Sequence, residues 1–171
     1  MNDIFVIRDI DIAMIIRVTI ALVLGGVVGF ERERGDRPAG LRTHMLVAAG
    51  SACFSIASIY GFDLQTKEAD LARVAANVVS GVGFLGAGTI LRDGSTIRGL
   101  TTATSIWIVA SIGMLTGLGL VWLALYTTFL TWFVLVVVKR FKPGRRRSGG
   151  RSSLPQANLV KPANKEDKLE D

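Results

Sequence analysis

Charged side chains are missing from one long stretch of the chain: the 40 residues from Gly99 to Val138 contain none. A helix needs about 20 apolar residues to cross the hydrocarbon core of a membrane, so this stretch is long enough for two crossings. Gly117 and Gly119 lie near its middle and suit a tight reversal of the chain. This absence of charge therefore indicates two consecutive membrane helices rather than a soluble domain.

Cysteine and histidine are also scarce, with one of each in 171 residues. Cys53 lies in an apolar run, so the chain can build neither a disulfide framework nor a thiolate metal site. His44 has no cysteine, histidine or acid at the spacing of metal ligands and is interpreted as an interfacial residue at a helix start. No P-loop, aspartyl-phosphate motif, H-E-x-x-H or nucleophile elbow occurs, so we predict neither an enzyme nor a cofactor.

Three further charge-poor runs precede the uncharged stretch, each close to one bilayer thickness in length. Half of the residues are hydrophobic and the mean hydropathy is +0.44, which is too apolar for a soluble domain with a basic tail. We therefore predict an all-α, polytopic membrane bundle within residues 12–138, with about five transmembrane helices at 12–30, 44–62, 74–91, 101–117 and 119–138. Residues 1–11 are predicted to be an extracytoplasmic leader, and 139–171 a disordered basic tail.

Basic residues are distributed unevenly between the two sides of the predicted bundle. Thirteen Lys and Arg flank the helices on one side and three on the other. The positive-inside rule then places the N-terminus outside and the C-terminus in the cytosol. The tail cluster Arg145–Arg147 directly follows the last helix and is interpreted as an anchor to anionic lipid headgroups, not as a nucleic-acid site.

Small residues recur at spacings of three or four along the predicted helices. The members are Gly25 and Gly29, Ala48 and Ala52, Gly113 and Gly117, and the set Ala76, Ser80, Gly83 and Ala87. Such spacing lets helix backbones approach closely in lipid and predicts a tightly packed bundle. The G-x-G-x-x-G string within 81–88 lies inside a membrane helix, which excludes a dinucleotide-binding site. Its glycine content leaves open a locally unwound backbone that lines a cavity.

No aspartate or glutamate lies within any of the five predicted helices. A pathway for Mg²⁺ or protons usually has a carboxylate at that depth, so the absence argues against an ion carrier. The acids lie at the cytosolic boundary among arginines, where the simplest interpretation is a salt-bridge network between two loops. The alternative is a cation site formed by Glu31, Glu33 and Asp93, with the hydroxyls of Thr101, Thr102, Thr104 and Ser105.

One charged side chain and one amide lie within the predicted helices. Arg17, two turns into the first helix, could extend to the interface or pair inside the bundle. Asn77 is the only amide of the third helix, and it could form an interhelical hydrogen bond or contact a ligand.

Three segments together resemble the membrane domain of the MgtC/SapB family: Gly29–Glu33 followed by Ala39–His44, then Arg73–Ile90, and Arg98–Ala103. The resemblance extends from about residue 15 to 138. It implies a multi-pass protein of the bacterial inner membrane, associated with growth at low magnesium and, in pathogens, with virulence. Longer members continue into a soluble regulatory domain, where this sequence has a tail of 33 residues.

The resemblance also implies which positions carry the family's function. They are Glu31, Arg32, Glu33, Arg42, Thr43, His44, Asn77, Gly81, Gly83, Gly86, Gly88, Arg92, Asp93, Arg98, Thr101 and Thr102. We expect a non-enzymatic protein that supports magnesium homeostasis by modulating another membrane protein, with that protein or a second copy as its partner. The alternatives are a small oligomeric transporter of Mg²⁺ or another solute, and a scaffold sensitive only to packing changes such as Gly83→Leu.

Overall fold

Five helices and one β-hairpin make up the computed structural model, which describes residues 9–60 and 71–138. The elements are α1 (Asp9–Arg34), α2 (Leu41–Tyr60), α3 (Leu71–Ala87), β1 (Leu91–Asp93), β2 (Thr96–Arg98), α4 (Leu100–Gly117) and α5 (Val121–Phe133), which continues as a π-helical segment, Val134–Val138. Four of the helices are long and apolar enough to cross a membrane, and α3 is shorter. The predicted all-α bundle of a multi-pass membrane protein is confirmed.

Some predicted boundaries differ from the observed ones. The third helix was expected to reach residue 91 but ends at Ala87, where the Thr89 hydroxyl donates to the Gly86 carbonyl (2.8 Å) and the chain turns into the hairpin. The predicted tail, 139–171, and residues 1–8 of the predicted leader lie outside the described residues. The orientation of the bundle in the membrane stays a prediction.

The core lies where α1, α2 and α4 meet, because small residues let these three backbones approach closely. A Cβ placed on Gly25 of α1 would lie 2.6 Å from the His44 carbonyl oxygen of α2, and one on Gly117 of α4 would lie 2.6 Å from that of Ala52. The close packing predicted from the pairs on these three helices is therefore confirmed. The fully enclosed apolar side chains are Ala21, Val28, Ala48, Ala52, Val109, Ile112 and Ala124.

The α3 helix packs against α4 with a different face from the one that its small residues predict. Val82 of α3 joins Ile106 and Ala110 of α4 in a second buried cluster, and Gly86 faces the backbone of Ala103. The small residues of α3 that were predicted to pack inside the bundle are exposed within the described chain: Ala76, Ser80, Gly83 and Ala87. The prediction that these residues pack inside the bundle is therefore wrong. The helix is continuous through its glycines, so its backbone is not unwound.

The predicted reversal between the last two helices is confirmed, and Arg17 stabilises it. Gly119 has a φ of 84°, a conformation that glycine adopts without a steric penalty. The Arg17 Nη1 donates to the carbonyl oxygen of Gly117 over 3.2 Å, at the end of α4. A cation at a helix C-terminus is favoured by the helix dipole, so this part-buried bond ties Arg17 of α1 to the turn at the end of α4.

A β-hairpin occupies the segment between α3 and α4, where the sequence predicted only a loop. Leu91 pairs with Arg98 and Asp93 pairs with Thr96, around a turn in which Gly94 has a φ of 58°. The two-residue loop Gly94-Ser95 is a known hairpin signal and could have predicted it. We refer to the end of the bundle that carries this hairpin, the α1–α2 turn and the start of α4 as the hairpin end.

Candidate functional site

A set of buried polar side chains lies at the hairpin end, where each helix of the core contributes at least one. We call it the polar cluster: Arg32 from α1, His44 from α2, and Thr102 and Ser105 from α4. None of them is more than 5% exposed. Buried polar groups are costly unless they are hydrogen-bonded, and in lipid no water is available to satisfy them. These residues are therefore expected to hold the three helices in one register.

Arg32 connects the end of α1 to the first turn of α4. Its Nη2 donates to the Thr102 hydroxyl oxygen over 3.2 Å, and its Nη1 lies 3.8 Å from the Glu31 carboxylate. Its Nε has no hydrogen-bond partner within the described residues. The Glu31 side chain is itself only 13% exposed. Breaking such a buried ion pair is strongly destabilising.

His44 connects the start of α2 to α4 through both of its ring nitrogens. Nδ1 lies 2.8 Å from the Gly40 carbonyl oxygen, and Nε2 lies 3.0 Å from the Ser105 hydroxyl oxygen. Because a carbonyl only accepts, Nδ1 carries a proton, and in the neutral ring Nε2 accepts from the Ser105 hydroxyl. That hydroxyl is also 2.8 Å from the Thr102 carbonyl oxygen, so His44 and Thr102 compete for one proton. His44 is thus a fully buried link between helices rather than an interfacial residue.

Replacing Ser105 with alanine is expected to lower the free energy of unfolding by about 1–3 kcal/mol, because His44 Nε2 would remain buried without a donor. The change can be measured by equilibrium unfolding in mixed detergent micelles. Thr104→Ala is the matched control, since that exposed hydroxyl bonds only to carbonyls of its own helix, of Leu100 and Thr101. Equal effects of the two substitutions would contradict the assigned link.

Two more charged residues beside the α1–α2 turn, Glu33 and Arg34, have local partners. The Glu33 carboxylate accepts from the Leu41 backbone N–H over 2.6 Å and so caps the start of α2. Arg34 lies over the Phe30 ring, 4.6 Å from its centroid. Arg42 and Thr43 are exposed. The connection between this turn and α4 is therefore made by Arg32 and Thr102 rather than by a broad network of ion pairs.

The hairpin holds the other predicted charges apart from the polar cluster. Arg92, Asp93, Arg98 and Thr101 are exposed, and the Arg92 Nε donates to the Gly94 carbonyl oxygen over 3.2 Å. Within the described part of the chain, no three His, Cys, Asp or Glu side chains come together to hold a metal ion. Glu31, Glu33 and Asp93 thus have separate surroundings: a buried ion pair, a helix cap and an exposed strand.

Asn77 and the glycines of α3 lie apart from the polar cluster and the hairpin, along the length of the bundle. Asn77 and Gly81 line an apolar groove between α2 and α3, and Gly83 and Gly88 are exposed. Gly86 alone of these glycines is buried, against α4. The predicted functional positions therefore divide among the polar cluster, the exposed hairpin and the α3 groove.

Several buried hydroxyls were not singled out from the sequence. Ser55 of α2, Thr116 of α4 and Thr128 of α5 each donate to the carbonyl four residues earlier in their own helix, at 2.8–3.0 Å. Such bonds satisfy a hydroxyl in an apolar interior without a partner helix. The only sequence signal for these hydroxyls is that each lies three or four residues from a buried small residue of the same helix.

Comparisons with known proteins agree on one family. The sequence profile of the MgtC family matches residues 18–143. The protein named "Putative magnesium transporter YhiD" from Escherichia coli strain K12 is 47% identical over 127 residues, covering 72% of this chain and 59% of that protein. "Protein MgtC" from Brucella abortus strain 2308 is 44% identical over 123 residues. The match covers 72% of this chain and 49% of the Brucella protein.

A third relative, "Protein MgtC" from Salmonella typhimurium strain LT2, is 47% identical over 105 residues, or 61% of this chain and 43% of that protein. The chain thus spans about half the length of these relatives. No solved structure matches it significantly. The profile match covers most of the chain, including the polar cluster, the hairpin and the α3 groove. The chain belongs to the MgtC family.

Proposed function

We propose that the protein supports magnesium homeostasis in the bacterial inner membrane by acting on another membrane protein, without catalysing a reaction. The observation that carries this proposal is the closed core. Ala21, Ala48, Ala52 and Ala124 are fully buried where the helices cross, and at the hairpin end Arg32 is bonded to Thr102 and His44 to Ser105. A single copy with this packing offers contact surfaces rather than a path for an ion.

The names of the relatives connect this family with magnesium, and the positions of the exposed residues suggest how it acts. Arg92, Asp93 and Arg98 extend from the hairpin, which rests on the ends of α3 and α4. Gly99 packs against the Thr89 carbonyl there, with a φ of 89°. The polar cluster fixes the start of α4, so it also fixes where the hairpin is presented. In this proposal the hairpin contacts the target protein.

The proposal is tested by growth at limiting magnesium in a bacterial strain that depends on this protein. We expect Arg92→Ala combined with Arg98→Ala to abolish growth support while the protein stays folded and inserted at wild-type levels. Arg37→Ala, an exposed arginine of the α1–α2 turn outside the functional positions that the resemblance implies, is the matched control and should grow normally. Full growth of the hairpin variant would contradict the proposal.

A second candidate function is magnesium transport by the protein itself, which the name of the E. coli relative favours. Proteoliposomes that contain only the purified chain and a trapped Mg²⁺ dye distinguish the two. Our proposal expects no flux above that of protein-free vesicles. Flux that depends on the protein would make it a transporter and would overturn the modulating role.

A further inference from the structure

An open groove of about 700 Å³ runs between α2 and α3 on the outside of the bundle. Leu46, Gly50 and Phe54 line it from α2, and Asn77, Gly81 and Leu85 line it from α3. Leu46 is 70% exposed and Phe54 is 59% exposed, so the groove faces the membrane. Apart from the Asn77 amide and one serine hydroxyl, its lining is apolar.

Two glycines of this groove have no packing partner within the described chain. Glycine costs a helix about 1 kcal/mol relative to alanine, and at three core positions that cost accompanies a close backbone contact. At Gly25, Gly113 and Gly117 an added Cβ would collide with a neighbouring helix. At Gly50 and Gly81 it would meet nothing within 4 Å in the described chain. Glycines at these two positions indicate a close approach by a molecule outside it.

Asn77 points to the chemistry of that molecule. Its side chain is exposed and makes no hydrogen bond to another described residue. An amide in the hydrocarbon region needs a partner, and it carries both donors and an acceptor, so a second amide satisfies it. Asn77, Gly81 and Phe84 lie at i, i+4 and i+7, on one face of α3. Phe84 is 80% exposed.

The remaining segments of this chain do not have the chemistry of the occupant. Residues 1–8 carry two charges, residues 61–70 carry four, and 139–171 carry ten basic and four acidic side chains. Charged segments are excluded from an apolar groove in lipid by the cost of desolvation. A second copy of the chain supplies an uncharged helix that has small residues and an amide at the same depth.

We propose that the groove binds α3 of a second copy, forming a two-fold dimer whose axis is normal to the membrane. Such an axis brings the same residue of both copies to the same depth, so the two Asn77 amides hydrogen-bond to each other. Gly50 and Gly81 allow the partner helix to approach, and Phe84 of each copy fills part of the other's groove. The dimer does not depend on the proposed role in magnesium homeostasis.

Disulfide cross-linking in membranes tests the contact directly, with the full chain carrying Cys53→Ser so that no other thiol is present. Gly81→Cys is expected to give an oxidant-dependent dimer, because a disulfide needs Cα atoms about 4.4–6.8 Å apart. Leu125→Cys, on the exposed face of α5, is the matched control and should stay monomeric. No cross-link at position 81, or equal cross-linking at both positions, would overturn the proposal.

Dimerisation in lipid vesicles, followed by energy transfer between labelled copies at increasing dilution, measures the strength of the contact. Asn77→Leu is expected to weaken the dimer by about three- to thirtyfold, and Asn77→Gln to keep most of the affinity. Gly81→Leu has no clash within one chain and is expected to weaken the dimer at least about tenfold while leaving the monomer folded. A wild-type monomer at all dilutions, unaltered affinity of both leucine variants, or a copurified lipid or different protein in the groove would refute the dimer.

Discussion

Replacing Gly113 with leucine is expected to lower the free energy of unfolding by about 3 kcal/mol or more, the largest packing effect that the bundle offers. A Cβ at this position would overlap the Ala48 carbonyl group of α2, which is backbone and cannot rotate away. The α2–α4 crossing would have to open, and the core side chains Val109 and Ile112 lie beside it. Unfolding in mixed detergent micelles, followed by circular dichroism, measures the loss.

Gly83→Leu is the matched control, because its Cβ would meet nothing within 4 Å in the described chain. We expect the free energy of unfolding of the dilute monomer to stay constant or to rise by up to about 1 kcal/mol, since leucine favours helix more than glycine does. Of the two glycine-to-leucine changes, only the one at the α2–α4 crossing would then lower the stability. A comparable loss of stability in both variants would show that the α2–α4 contact is not the cause. Because Gly83 does not pack against another helix of the described chain, Gly83→Leu does not disturb packing and cannot test the scaffold alternative.

Replacing Arg32 with methionine is expected to cost about 3–5 kcal/mol of unfolding free energy, because it breaks the buried ion pair between Arg32 and Glu31. The Thr102 hydroxyl also loses the donor that joins α1 to α4. We expect growth support at low magnesium to be lost as well, since the start of α4 positions the hairpin. Arg42→Met, at an exposed site, should change stability by less than about 0.5 kcal/mol.

The double variant Glu31→Gln, Arg32→Met separates the charge from the packing. When both members of a buried pair are neutral, neither charge has to be desolvated on folding, so most of the lost stability is expected to return. The coupling between the two positions follows from the cycle of single and double variants. A double variant as unstable as Arg32→Met alone would show that the loss comes from packing and not from the ion pair.

The number and approximate limits of the helices could be predicted from the sequence, because crossing a membrane depends on the length of an apolar run. The close contacts at the glycine pairs, Gly25 with Gly29 and Gly113 with Gly117, could also be predicted, since close helix packing in lipid requires small residues. The hairpin was missed because its strands have three residues each, which is too short for a periodic signal. Its two-residue loop, Gly94-Ser95, was the one available indication.

The candidate site was less predictable because its residues are not distinguished by type or spacing. Arg32, Arg34 and Arg42 look alike in the sequence, yet Arg32 is buried against α4, Arg34 covers Phe30 and Arg42 is exposed. Glu33 was a candidate metal ligand and caps α2. His44 and Ser105 are 61 positions apart, and only the α2–α4 crossing brings them to hydrogen-bonding distance.

The sequence alone determined that this chain is a bundle of about five membrane helices with its charges at the helix ends, because the cost of placing charge in hydrocarbon depends on residue type and run length. The tertiary structure decided which face of each helix is covered. Lipid solvates an apolar helix on every side, so no hydrophobic force selects the buried face, and close packing and hydrogen bonding do. For that reason only the structure shows that the polar cluster joins α1, α2 and α4, and that Asn77 and Gly81 of α3 face outward.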